Sequence, residues 1–163
     1  MLRTLAAGIR RPAKPAPASR RSSGSDGKIG PVVEDGPALM SRAFDLGDVT
    51  ALRHAVSRQA AAAGLAGQRL HDFVLAINEL ITNAVRHGGG RGHLRLWCRD
   101  GVVWGEVSDR GPGMSDADDG RRLPPPSSVG GRGLWLAHSM SDKVTIDTGP
   151  WGTTATVSAS LPR

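Results

Sequence analysis

The sequence predicts an α+β fold: a two-layer sandwich in which a mixed, mostly antiparallel sheet is covered on one face by helices. Three observations lead there. Residues 93–99 and 102–108 are strand-like runs joined by Asp100-Gly101, a dipeptide that favours the positive φ of a tight two-residue hairpin. Residues 143–148 and 153–161 form a second such pair across Gly149-Pro150-Trp151-Gly152. The segments outside these hairpins carry apolar residues at helical spacing, so consecutive strands pair directly and the helices gather in a layer of their own.

Ordered structure is expected to begin near Ala38. After the Gly36-Pro37 breaker, Leu39 to Leu46 reads as a short strand, and Gly47 ends it. Asp48 is placed to cap a first helix whose apolar residues Val49, Leu52, Val56 and Ala60 keep helical period, and Gly64 terminates it. A second helix is predicted from Gln68 to His87, closed by Gly88-Gly89-Gly90. Its core face reads Leu70, Phe73, Val74, Ile77, Ile81, Ala84 and Val85. The first hairpin follows. From Arg110 to Val129 the chain is Gly, Pro, Asp and Ser with little to bury, the composition of an active-site loop. Gly130 to Gly133 then lead into a third helix over Leu134 to Ser141, and the second hairpin closes the order β-α-α-β-β-loop-α-β-β.

The 163 residues suffice for one sizeable core. The single cysteine, Cys98, has no internal partner, which excludes a disulfide-stapled secreted domain and suits a reducing compartment. A net charge of +6 spread over a fold would point to an anionic partner. Here Arg3, Arg10, Arg11, Lys14, Arg20, Arg21 and Lys28, opposed only by Asp26, concentrate it in residues 1–30. Residues 1–37 are therefore read as a disordered basic leader and residues 38–163 as the folded domain. The apolar patch Leu5-Ala6-Ala7-Gly8-Ile9 is too short for an export signal, and no stretch reaches the length of a bilayer span. The expectation is a cytoplasmic protein without a membrane partner, with nucleic acid also outside the expected partners. Weak attraction of anions by the leader, or a transit-peptide role for it, stays open.

Four segments can carry chemistry. Glu79, Asn83 and His87 recur at i, i+4 and i+8, drift by only about 40° per step, and so form one polar stripe beside the apolar face. An amide oxygen is a hard donor suited to Mg²⁺, and a carboxylate can orient or deprotonate a hydroxyl. Taken alone, the stripe is equally an ordinary wet helix face. Asp109-Arg110-Gly111-Pro112-Gly113-Met114 places a carboxylate at a strand end before a glycine turn, where it can accept from an exocyclic amine such as adenine N6 while backbone approaches a planar base. A simple Asp-capped turn fits as well. Gly131-Arg132-Gly133-Leu134 sits at the mouth of a helix, where free N–H groups favour phosphate and Arg132 adds charge. A long loop precedes these glycines, against a dinucleotide-binding βαβ unit, and there is no Gly-Lys-Ser/Thr for a P-loop. Finally, Gly152-Thr153 opens the last strand with a hydroxyl beside the sheet.

The ordered set Glu79-x-x-x-Asn83-x-x-x-His87, Asp109-x-Gly111-x-Gly113, Gly131-x-Gly133-Leu134 and Gly152-Thr153, with Leu161-Pro162 at the close, resembles the Bergerat-fold ATPases of gyrases, heat-shock chaperones and sensor histidine kinases. Its compactness and the segment Asn78 to Gly88 look most like the bacterial anti-sigma-factor serine kinases. The resemblance implies ATP with Mg²⁺, Glu79 as catalytic base, Asn83 as Mg²⁺ ligand and Asp109 as adenine contact. It also implies nucleotide contacts from His87, Gly111, Gly113, Met114, Arg132 and Leu134, phosphate closure by Gly131 and Gly133, and adenine support from Thr153 through water. The lid departs from the pattern in lacking lysine and in carrying Pro124-Pro125-Pro126, so its phosphate contacts are unassigned.

The implied function is a protein serine/threonine kinase and anti-sigma factor, which holds a sigma factor and phosphorylates an anti-anti-sigma partner; the resemblance leaves room for a homodimer. The alternative is a non-catalytic switch whose binding surface depends on ATP or ADP. A detached histidine-kinase catalytic domain is disfavoured by the short lid and by the lack of a long amphipathic helix with a phosphoacceptor histidine in residues 1–37.

Overall fold

The computed structural model describes residues 36–115, 120–126 and 131–163. The leader over residues 1–35, two stretches of the long loop and Gly130 lie outside the described residues. The elements run β1 (Ala38–Asp45), α1 (Val49–Ala62), α2 (Gly67–His87), β2 (Arg91–Arg99), β3 (Val102–Asp109), α3 (Arg132–Met140), β4 (Lys143–Gly149) and β5 (Gly152–Ser160). This is the order read from the sequence. The sheet has strand order β1-β2-β3-β5-β4, and every pairing among the described residues is antiparallel.

Local chemistry accounts for the hairpins and helix ends. Asp100 (φ 51°) and Gly101 (φ 73°) both adopt the left-handed conformation that matches the twist of β2 and β3. One expectation is corrected at the start of α1. Asp48 does not cap this helix with its side chain; it accepts from the Asp45 N–H at 3.1 Å, while Asp45 accepts from the Gly47 N–H at 2.8 Å. This reciprocal pair closes a turn of 3₁₀ helix over Leu46–Asp48, which swings the chain from β1 into α1.

Alternation along the strands puts Leu94, Leu96, Val103, Val107, Ala155, Val157 and Ala159 into one core with the helices. Gly105 lies against Ile77, so α2 rests directly on the sheet. The opposite face carries Trp97 and Trp104, which are register partners with rings stacked at 6.2 Å. On α2 the buried residues are Phe73, Ala76, Ile77, Leu80, Ile81 and Ala84. Ala76 and Leu80 were absent from the expected face, and Leu70, Val74 and Val85 are only partly buried. The reason is that α2 contacts α1 and α3 as well as the sheet, which widens and rotates its buried stripe.

Far from the long loop, Asp142 ties three elements together. Its Oδ2 accepts from Arg69 Nη2 (2.6 Å), the Ser160 N–H (2.6 Å) and Ser160 Oγ (2.7 Å), joining α2 to the ends of β4 and β5. The Arg69 hydrogen bond, helped by those from Ser160, lowers the Asp142 pKa below its ordinary value against an opposing desolvation. A depressed carboxylate pKa contributes stability above the unfolded-state pKa and loses it as pH falls through the folded-state value. Asp142→Asn is therefore expected to cost up to about 1 kcal/mol at neutral pH, a small figure because the pair is part-exposed. Urea unfolding at pH 7 and in acid should show wild type and variant converging as Asp142 protonates.

Candidate functional site

The polar stripe of α2 runs along the edge of the core nearest the end of β3, with Glu79 and Asn83 half-buried and His87 exposed. Beside it opens a cavity of about 740 Å³, within the range of small-molecule sites. Its apolar lining comes from Leu80, Ala84, Val107, Leu134 and Ala155. Asn83, His87, Asp109, Gly113, Met114, Gly131, Leu134 and Thr153 all line it. Residues from four separate segments thus meet around one space.

Asp109 is held by its surroundings. Its Oδ1 accepts the N–H groups of Gly111 (2.9 Å) and Thr153 (3.2 Å), which joins the glycine turn to the start of β5. Gly88 lies so close under the carboxyl group that a Cβ there would overlap it. Among Asp109's hydrogen bonds to described residues, Oδ1 takes the backbone donors and Oδ2 takes none. Gly88, read from the sequence only as a helix stop, is thereby also part of the site.

Four of the expected residues lie off the cavity wall. Gly111 packs against the Gly88 backbone and supports the turn. Gly133, in the first turn of α3, faces the α2 stripe: a Cβ there would come within 2.6 Å of Glu79 Oε2 and 3.5 Å of Asn83 Oδ1. Glycine at this position lets α3 close onto both side chains. Glu79 stands behind this contact, one helical turn from the cavity-lining Asn83. Arg132 donates to the Pro126 carbonyl at 3.4 Å and lines an adjoining apolar cleft of about 250 Å³ with Trp135 and Leu136, on the other side of Leu123 and Pro124, which line both spaces.

Other residues take part that the motifs did not single out. Arg122, Leu123, Pro124 and Pro125 line the cavity from the long loop, so the proline run forms part of its wall. No feature of the sequence separates Arg122 from Arg110 and Arg121, and the motif singled out Arg132 instead. Thr148 accepts the Met114 N–H at 2.8 Å and lies 3.0 Å from Thr153 Oγ1. That position was legible in principle, because the hairpin register sets Thr148 opposite Thr153. At the head of α3, Gly131 (φ 81°) is the capping residue and, having no side chain, makes no side-chain cap to the first N–H groups of the helix.

Among the described residues no group of three or more His, Cys, Asp or Glu is arranged to hold a metal ion by itself. The amide oxygen of Asn83, which lines the cavity, is nonetheless the kind of hard donor that fits Mg²⁺ bound alongside phosphates, since that ion keeps waters and phosphate oxygens and needs only one or two protein donors. No helix among the described residues is long and apolar enough to cross a membrane.

The sheet covered by helices on one face, with a cavity between helix stripe and glycine turns, is the architecture of a Bergerat-type ATPase domain. The chain belongs to the histidine kinase-like ATPase domain family, whose model matches residues 43–159. It is similar to the anti-sigma F factor of Bacillus velezensis, 28% identical over an alignment of 104 residues, with 58% of this chain and 71% of the relative covered. The anti-sigma F factor of Bacillus subtilis is 27% identical over the same length and shares. Among solved structures, the RsbU and RsbW domains of a Mycobacterium tuberculosis protein share the fold with a TM-score of 0.56 at 24% identity, over 76% of this chain and 32% of that one. A mycobacterial sensor histidine kinase gives a TM-score of 0.50 at 17% identity, over 76% of this chain and all of the other.

Proposed function

We propose that the protein binds Mg·ATP in this cavity and is a protein serine/threonine kinase that also acts as an anti-sigma factor, phosphorylating an anti-anti-sigma partner. The observation that carries the ATP reading is the convergence of Asn83, Asp109, Gly131 and Thr153 on one cavity of suitable size. Similarity to two anti-sigma F factors supports the partner half of the proposal. The ATP-binding domain starts near residue 38, as the position of β1 supports.

In this reading Asp109 Oδ2 accepts from the adenine N6 amine, while Met114, Gly113 and Thr153 border the base. The N–H groups at the head of α3 and the Arg122 side chain face the phosphates. Asn83 Oδ1 would hold the Mg²⁺ that accompanies ATP, which would supply charge neutralisation at the transferring phosphoryl group. Glu79 takes the proton of the partner's serine or threonine hydroxyl as that oxygen attacks. Since Arg122 lines the cavity and Arg132 the adjoining cleft, Arg122→Ala should weaken ATP by about five-fold, as for an exposed charge contact, and Arg132→Ala by less. Parallel calorimetric titrations decide between them; equal losses would remove Arg122 from its assigned role.

Glu79's position off the cavity wall favours a second reading, a nucleotide-dependent protein-binding switch without chemistry. Incubation with Mg·ATP and the co-purifying partner, followed by mass spectrometry, separates the two. Phosphate on a serine or threonine of the partner supports the kinase. An unmodified partner whose binding still follows the nucleotide supports the switch.

A further inference from the structure

We propose that Thr148 is a positioning residue that sets the base-binding end of the cavity for adenine, an inference that rests on the ATP reading above. Thr148 does not line the cavity, yet it touches two groups that do. Its Oγ1 accepts the Met114 N–H at 2.8 Å and sits 3.0 Å from Thr153 Oγ1. Thr153 in turn donates its N–H to Asp109 Oδ1, the oxygen that also takes the Gly111 N–H. One continuous chain therefore links Met114, Thr148, Thr153, Asp109 and Gly111, and Thr148 is the link between the glycine turn and the Thr153 hydroxyl.

The donors of this chain allow one direction that suits adenine. A threonine hydroxyl has one proton and two lone pairs. Either hydroxyl of this pair can be the donor, and adenine binding selects the arrangement in which Thr148, one lone pair already taken by the Met114 N–H, donates to Thr153 Oγ1. Thr153 is then free to turn its own proton toward the cavity, directly or through water. Asp109 Oδ2 presents an acceptor and Thr153 a donor, the complement of the adenine edge, whose N6 amine donates and whose N1 accepts. Hypoxanthine reverses both groups, with a carbonyl at position 6 and a proton on N1, so inosine diphosphate bound here lacks those contacts from the outset.

Loss of Thr148 should consequently be felt by the base and not by the diphosphate. Wild type, Thr148→Val, Thr148→Ala and Thr148→Ser would be titrated with Mg·ADP and Mg·IDP, with thermal melts alongside. Wild type is expected to prefer ADP. Valine and alanine should weaken ADP about ten-fold, the scale of one hydrogen bond, while leaving IDP within about two-fold. Serine, which restores the hydroxyl, should keep both affinities within about two-fold of wild type. Equal weakening of ADP and IDP would reveal general loosening and overturn the proposal, as would unchanged ADP binding in both the valine and alanine variants or failure of serine to restore it. Failure of the underlying reading is seen in the wild type itself: a protein that binds neither nucleotide, or both alike, overturns both.

Discussion

Glu79→Gln is expected to keep Mg·ATP affinity within a few-fold of wild type while lowering partner phosphorylation by about 10²–10⁴-fold, the contribution of a general base. The substitution preserves shape and removes basicity. Glu79 does not line the cavity, so binding has little to lose, whereas its carboxylate beside Gly133 stands where α3 meets the α2 stripe. Asn83→Asp should behave in the opposite manner. Asn83 lines the cavity one turn further along, and a carboxylate there changes both charge and donor type beside the phosphates, so Mg·ATP binding itself should shift. Nucleotide titration and partner phosphorylation, measured together on both variants, test the assignment. Wild-type turnover by Glu79→Gln removes it from the base role, and a wild type that phosphorylates no partner hands the site to the switch reading.

Asp109→Asn should weaken adenine nucleotides by about 1–3 kcal/mol with little change in melting temperature. The geometry explains why binding and folding separate here. Oδ1 receives two backbone N–H groups, and an asparagine that keeps its amide oxygen in that place preserves both. Its NH₂ then replaces Oδ2 and points a donor at the donating N6 amine. Gly88, packed beneath the carboxyl group, leaves the side chain little room to turn away. Calorimetry with ADP and a thermal melt decide the matter. Unchanged affinity at unchanged stability would exclude Asp109 from the adenine pocket; a large drop in melting temperature would mean that its hydrogen bonds serve the fold first.

The chain-local features were legible because their causes are local. Asp100-Gly101 specifies its hairpin through the φ values those residues tolerate, and the element order follows from periodicity and glycine punctuation. The four motifs could likewise be read as an ordered set, since each depends on spacing within a few residues. Asp48 shows where such reasoning fails even at short range. The 3₁₀ turn already puts Asp48 in helical conformation (φ −88°, ψ −15°), and its side chain turns back to the Asp45 N–H instead of forward to α1.

By itself, the sequence determined the α+β class, the order of elements and the candidate segments, because periodicity, turn chemistry and motif spacing are properties of neighbouring residues. Only the tertiary structure decided which of those residues share a wall. The contact of α3 with α2 brings Gly133 to Glu79 and keeps Glu79 off the cavity that Asn83 lines. The path of the proline run turns Arg122, and not Arg132, to the cavity. The joining of β5 to β3 sets Thr153 on Asp109, across 44 residues of chain. Such choices depend on side chains brought together by packing of distant segments, and local spacing carries no information about which of several equivalent groups will point inward.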